Sequence, residues 1–196
     1  MPLSPSVPRE EIHTRAITLR GYRRLDGLFD IEAHLVDTKP FTLPSQDRGH
    51  IPAGEPLHEM WMRLTIDEAM QIVACEAATD HSPYAVCPQA APNFARLVGL
   101  RIRNGFLKEA ALRVGGAAGC THLRELLQQM ATTAFQTVGP ALARKELANA
   151  TGDALDTRIS EHFGGAERML NTCLAYAADS PVVKRRWPHL FAAGDA

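Results

Sequence analysis

The dipeptide Asp26-Gly27 is the feature of this sequence that most restricts its fold. It lies between two stretches, residues 15–24 and 28–37, in which apolar and polar side chains alternate. Alternation with a period of two is typical of strands with one buried face, and glycine supplies the positive φ that a tight hairpin turn requires. The sequence therefore predicts an antiparallel β-hairpin near the amino terminus.

A second hairpin is predicted after an irregular loop, residues 39–56, which is rich in proline, glycine and serine. Its first strand runs from His58 to Asp67, with residues 67–70 as the turn and 71–78 as the returning strand. The period of two predicts that Cys75 lies on the face opposite the apolar row of the first strand. That row consists of His58, Met60, Met62, Leu64 and Ile66.

The periodicity becomes helical from Pro88 onward. Two short helical segments are predicted on either side of Asn104-Gly105, followed by a long helix over 121–138 that Gly139-Pro140 ends. Further helices are predicted over 141–149 and 168–177. Strands followed by helices indicate an α+β fold, in which the N-terminal half forms an antiparallel sheet of about four to five strands and the C-terminal helices pack on one face.

Length and composition indicate one folded domain. The 196 residues are 45% hydrophobic and 22% charged, which is typical of a globular protein. We expect a flexible, proline-rich N-terminus over 1–14, a single domain over 15–191 and a tail over 192–196.

The charge distribution restricts the partners. The net charge is −1 and the basic cluster 184–186 is short, so nucleic acid is an unsuitable partner and the cluster is interpreted as a solvated helix end. The sequence predicts neither a signal peptide nor a membrane span, and it therefore predicts a cytoplasmic protein with free thiols. Its expected partner is a small-molecule substrate or another protein, and a homo-oligomer remains an alternative.

Four residues at predicted element junctions are candidate metal ligands: His58, Cys87, Cys120 and His122. Thiolate and imidazole are the ligand types that hold zinc or iron. Three or four of them meeting at one point would form a tetrahedral site. The alternatives are that the cysteines are packing residues and His122 only packs on or caps its helix, or that Cys120 is a nucleophile activated by His122 or His58.

Carboxylates in the first hairpin are candidate catalytic groups. Asp26 and Asp37 could each act as a base or bind a substrate cation, and His122 is a third candidate. The alternative is turn chemistry, because aspartate before glycine and at a strand end is common without any catalytic role.

Part of the chain, about residues 55–138, resembles the IscU/NifU-type iron–sulfur scaffold. The resemblance rests on residues 57–64, 72–79, Cys87, 105–110 and 119–120. It implies a core of that fold in which His58 replaces the first cysteine ligand, while Cys87 and Cys120 stand at the second and third. A His/Cys/Cys set would suit a mononuclear zinc or iron ion.

The whole chain also resembles a bacterial family of unassigned function. The shared motifs are Arg-x-Asp-Gly at 24–27, Asp-Thr-Lys at 37–39, Pro-Tyr-x-x-Cys-Pro at 83–88, Gly-Cys-Thr-His-Leu at 119–123 and Asn-Thr-Cys at 171–173. The leading hypothesis is a zinc- or iron-binding protein that acts as an enzyme on a small organic, catabolic substrate, with aromatic compounds as one option. The alternative is a non-catalytic accessory protein or a metal or cluster carrier that pairs with an enzyme.

Overall fold

A computed structural model of the protein describes residues 3–146 and 165–192. The chain divides into two compact units, Met1–Ala134 and Phe135–Ala196, and each is described by itself. The predicted tail 192–196 and the predicted helix 141–149 lie partly outside the described residues. The assignment of 15–191 to a single domain stays a prediction.

The first unit contains a four-stranded antiparallel sheet in the order β1-β2-β5-β6. Its strands are β1 (Thr14–Arg23), β2 (Phe29–Thr38), β5 (Pro56–Ile66) and β6 (Ile72–His81). This confirms the α+β class and both predicted hairpins. The region predicted as a loop also contains a separate two-stranded ribbon, β3 (Leu43–Ser45) paired with β4 (Gly49–Ile51), whose strands are too short to show an alternating pattern.

One face of the sheet is buried. Residues of β2 alternate strictly between fully and partly buried positions, as expected for a strand in the middle of a sheet covered on one side. The buried side chains of the two central strands are Phe29, Ile31, Ala33, Leu35, Met60, Met62, Leu64 and Ile66. Burial of each large apolar side chain stabilises the fold by about 1.5–3 kcal/mol. Asp37 continues this row and is the polar exception in it.

The register of β5 against β6 corrects one prediction. Thr65 pairs with Ala74, but Ile66 pairs with Ile72, so Val73 is an extra residue in β6 that forms a bulge. A bulge of one residue moves every following side chain to the other face. Cys75 therefore pairs with Leu64 and lies on the face of the apolar row, not opposite it as predicted.

The helical part of the first unit begins with a 3₁₀ segment, Cys87–Leu97, which packs against β6. Helix α1 (Phe106–Val114) follows the predicted break, where Gly105 has φ +90°, a conformation that only glycine adopts without strain. A short 3₁₀ turn, Gly116–Ala118, leads into α2 (Thr121–Glu146). The buried helical residues include Phe94, Leu97, Phe106, Ala110, Val114, Leu123, Leu126, Leu127 and Met130.

The second unit corrects two predictions. Helix α2 does not stop at Gly139-Pro140 but continues to Glu146. Pro140 removes one backbone donor, and the residues around it, Val138, Leu142 and Ala143, are buried, so their apolar burial offsets part of that loss.

The predicted helix 168–177 is also interrupted. The structure has α3 (Ala166–Met169), then a 3₁₀ turn at Leu174–Tyr176, with Asn171 between them at φ +59°. Such a left-handed residue cannot continue a helix. Helix α4 (Pro181–Arg186) ends with the basic cluster, as predicted. Within the described ranges, no helix has the length and apolar character needed to cross a membrane.

Candidate functional site

Asp37 is the centre of the site, and an arginine holds it. The Asp37 side chain is 1% exposed, near the end of β2 and directly opposite Arg15 of β1. The guanidinium donates from Nε to Oδ1 at 2.7 Å and from Nη2 to Oδ2 at 2.8 Å. A third donation, from Arg15 Nη1 to Glu125 on α2 at 2.6 Å, ties the helix to the edge of the sheet. Bidentate pairing fixes both the charge and the plane of the carboxylate.

Three imidazoles approach the same carboxylate. His58 pairs with Asp37 across β2 and β5, and its Nδ1 lies 3.1 Å from Asp37 Oδ2. His122, in the first turn of α2, places Nε2 4.0 Å from the same oxygen. His13 Nε2 lies 3.3 Å from Oδ1, and its Nδ1 lies 3.1 Å from the Thr38 carbonyl oxygen. The rings of His58 and His122 are 3.9 Å apart between centroids.

Burial and charge set the ionisation of this cluster. Burial alone raises the pKa of Asp37, but the hydrogen bonds and charge of Arg15, with His58 and His13, outweigh it and lower the pKa below its usual value. Burial, aided by the neighbouring His122, lowers the pKa of His58 although Asp37 opposes the shift. The arrangement therefore favours an ionised Asp37 beside a neutral His58.

Cys120 brings a thiol to the imidazole pair. It immediately precedes α2, and its Sγ lies 3.9 Å from His122 Nδ1 and 3.9 Å from the Met60 sulfur. His122 therefore has Asp37 near one ring nitrogen and Cys120 near the other. A thiol, two imidazoles and a buried carboxylate in series can hold a metal ion or activate a nucleophile.

These groups open onto a pocket with a volume of about 580 Å³. All four predicted ligands, His58, Cys87, Cys120 and His122, line it. The β3–β4 ribbon anchors its outer loop, because Ala85 N–H donates to the Asp47 carboxylate and the Ser45 hydroxyl donates to the Pro83 carbonyl oxygen.

The structure brings some candidates together and separates others. Ligand atoms of Asp37, His58 and His122 all lie within 4.8 Å of one another; neither cysteine belongs to this tight group, although both line the pocket. Asp26, in contrast, is half exposed in the β1–β2 turn and pairs with Arg24 at 2.7 Å. The strand rise places it roughly 35 Å from Asp37, so the two candidate carboxylates do not share a site.

The sequence analysis did not identify two neighbours of Asp37, His13 and Arg15, nor Glu125, which contacts Arg15. The Asp26-Gly27 turn does not by itself indicate Arg15, because pairing outward from a two-residue turn sets residue 16 opposite residue 37. The strands instead pair about Asp26, which sets Arg15 opposite Asp37. Nothing in the local sequence indicates Glu125, whose contact depends on how α2 packs on the sheet.

The opposite face of the sheet carries a second polar cluster. The Glu59 carboxylate lies within hydrogen-bonding distance of two imidazoles: Oε1 is 3.0 Å from His34 Nε2, and Oε2 is 2.9 Å from His81 Nδ1. The His34 ring stacks on Trp61 with centroids 3.5 Å apart, and the Trp61 indole N–H donates to Asp80. The sequence did not predict this cluster, because its members come from three different strands.

The fold and the site together define an α+β protein that carries a histidine–cysteine pocket at one end of an antiparallel sheet. Residues 13–136 match the family described as protein of unknown function (DUF2889), and the chain belongs to that family. The match includes the sheet and every residue of the pocket. Comparison with curated proteins and with solved structures gave no match.

Proposed function

We propose that the pocket binds a zinc or iron ion through His58, His122 and Cys120, with Cys87 or a water molecule as the fourth ligand. The proposal is carried by one observation: a buried carboxylate lies behind two imidazoles, and a thiol lies beside the second. Metal-bound histidines almost always donate their other ring N–H to a carboxylate or carbonyl group, which fixes the ring and raises its basicity.

Asp37 fits the orienting role better than that of a ligand. Arg15 already engages both of its oxygens, and Asp37 does not line the pocket. Because His58 uses Nδ1 toward Asp37, its Nε2 remains for the ion. His122 in turn has Nε2 nearest Asp37 and Nδ1 nearest Cys120.

The thiol–imidazole distance supports the same set of ligands. Zinc–nitrogen and zinc–sulfur bonds of ordinary length at a tetrahedral angle place the two donor atoms about 3.5 Å apart. Cys120 Sγ and His122 Nδ1 are separated by 3.9 Å, so a small movement would let both bind one ion. The ligand types suit zinc and ferrous iron alike.

An enzyme fits this site better than a sealed structural centre. A pocket of about 580 Å³ falls within the range that holds small organic ligands, and structural zinc sites are normally closed. An ion with one open position would supply Lewis acidity to a substrate. We therefore favour a metal-dependent enzyme acting on a small organic molecule over an accessory protein.

The carrier alternative follows from the resemblance to IscU/NifU-type scaffolds. A scaffold would bind iron and sulfide together, whereas the proposed mononuclear site binds one ion without sulfide. Anaerobic reconstitution with ferrous iron, with and without sulfide, separates the two. Visible charge-transfer absorption that requires sulfide, together with more than one iron per chain, would favour the carrier.

Metal analysis of protein purified without a histidine tag tests the proposal. We expect about one zinc or iron per chain in the wild type and a large loss in Cys120→Ser and His122→Ala. Cys173→Ser is the matched control, because Cys173 is an exposed thiol of the second unit. Metal that is absent from the wild type after reconstitution, or that is retained equally in all variants, would contradict the proposal.

A thiol nucleophile is the second candidate function. The order Cys120, His122, Asp37, with separations of 3.9 and 4.0 Å, places a thiol, an imidazole and a carboxylate as in cysteine hydrolases. Rapid alkylation of Cys120 by iodoacetamide in metal-stripped wild type, slowed strongly in His122→Ala, would support it. Equal rates in both proteins would exclude activation by His122.

A further inference from the structure

The wall of the pocket contains no lysine, arginine or carboxylate side chain. None of the described residues that line it is lysine, arginine, aspartate or glutamate, although such residues make up 22% of the chain. A pocket for phosphate, for a coenzyme with phosphates or for an amino acid zwitterion requires fixed charges that pair with the ligand. This wall provides none.

Apolar side chains form part of the wall. Met60, which is almost fully buried, lies beside Cys120, while Pro83, Tyr84 and Val86 come from the anchored loop. Tyr84 and Val86 are 57% and 61% exposed, so their apolar surface is accessible to a ligand in the pocket. An aromatic or aliphatic ring placed against them would remove apolar area from water on both partners.

Two amides add directional polar groups to this apolar wall. Asn93 and Gln89 come from the 3₁₀ segment that begins at Cys87. Neither side chain makes a hydrogen bond to another residue in the part of the chain that the structure describes. Each amide offers one acceptor and two donors without net charge, so it can select a neutral polar group on a ligand.

We infer that the pocket takes an uncharged small organic molecule with a ring-sized apolar body and one neutral polar group that meets the Asn93 amide. The inference rests on the proposed function only for the end of the ligand that meets the ion. The wall alone determines the remainder, since a charged group set against Met60 and Val86 would lose hydration without gaining a partner.

Three ligands of nearly equal size test the charge of the preferred substrate: benzamide, benzoate and benzylammonium. Titration calorimetry on metal-stripped protein isolates the wall. We expect benzamide to bind at least about tenfold more tightly than either charged compound. Reloading zinc tests the metal end of the pocket separately: benzoate, whose carboxylate can bind the ion, should gain affinity relative to its value in the stripped protein, while the ranking in the stripped protein reports the wall.

A charged compound that binds metal-stripped protein as tightly as benzamide would overturn the inference, as would the absence of benzamide binding. Failure of the metal proposal has a different signature. In that case zinc fails to bind and leaves all three affinities unchanged, while the preference for benzamide in the stripped protein persists and supports the inference.

A substitution of Asn93 tests whether benzamide binds at the amide of the pocket wall. Asn93→Leu is expected to weaken benzamide binding about tenfold, the effect of losing one hydrogen bond to a partner that stays buried. Asn104→Leu makes the same chemical change at an exposed position that does not line the pocket and should leave the affinity unchanged. Thermal unfolding of both variants shows whether they are folded. Equal affinities in the wild type and folded Asn93→Leu would overturn the role of this amide.

Discussion

The two faces of the sheet carry clusters built from the same groups. Behind the pocket, Asp37 lies between His58 and His122; on the open face, Glu59 lies between His34 and His81. His58 and Glu59 are neighbours in the sequence, so adjacent residues of β5 serve different clusters. A carboxylate with two imidazoles is therefore not sufficient to define a site in this protein.

The two clusters differ in how deeply the carboxylate is buried and in which further groups contact it. The Asp37 side chain is 1% exposed, whereas Glu59 is 21% and His81 is 41% exposed. Arg15 neutralises Asp37, and a thiol and a pocket follow on its far side; in the described residues, Glu59 of the open cluster contacts neither an arginine nor a cysteine. Water screens interactions strongly at the exposed cluster and weakly at the buried one.

The largest difference is expected in metal affinity. His58→Ala removes a proposed ligand and should weaken zinc binding by more than about a hundredfold, beyond the effect of losing an orienting partner. His81→Ala makes the same change on the open face and should leave the affinity unchanged. Competition with a chromophoric chelator measures both. Equal affinities of the two variants would remove the distinction between the clusters.

The next difference concerns stability. Arg15→Met leaves the buried Asp37 carboxylate without its bidentate partner and should lower the free energy of unfolding by about 2 kcal/mol at pH 7, less than for a fully buried pair because Arg15 remains partly exposed. Arg63→Met is the matched change on the open face, where Arg63 pairs with Glu32 and Glu76. There the loss should stay below about 1 kcal/mol. Urea unfolding compares them, and losses of equal size would show that Asp37 is not the more costly group to expose.

The sequence predicted those parts of the molecule that local chemistry determines. The Asp26-Gly27 turn and the alternation on either side of it set the first hairpin, and Gly105 set the start of α1. The four candidate ligands, each at a junction between elements, line one pocket, while their binding of a metal ion stays a prediction.

The remaining features depend on long-range geometry. The bulge at Val73 reverses the face of Cys75, and no local pattern marks it. Burial, with the nearby Glu76, raises the pKa of the Cys75 thiol to about 12. No local pattern links Asp37 to the histidines, because only the paired register of β1, β2 and β5 places Arg15 and His58 on either side of it.

In metal-free protein, His58 and Asp37 are expected to contribute to the pH dependence of the free energy of unfolding in different pH ranges. The pKa of His58 is lowered in the folded state, so its stabilising effect is present above the unfolded value of about 6.5 and is lost as the pH falls below it. Asp37, whose pKa is also lowered, loses its contribution only below about pH 4. We expect His58→Gln to flatten the decline in unfolding free energy between pH 7 and pH 5. An unchanged slope would contradict the assignment of that decline to His58.

The smallest effect is expected from the ring stack on the open face. His34 and Trp61 are nearly parallel, with an angle of 7° between their planes, but both are partly exposed and water can replace much of their contact. A double-mutant cycle with His34→Ala and Trp61→Ala, measured by urea unfolding, should give a coupling of about 0.5–1 kcal/mol. The corresponding cycle with His58→Ala and His122→Ala should show a larger coupling, because both rings share the buried Asp37. If the exposed pair proves to be the more strongly coupled, burial is not what distinguishes the two clusters, and the open face becomes the better candidate for a functional surface.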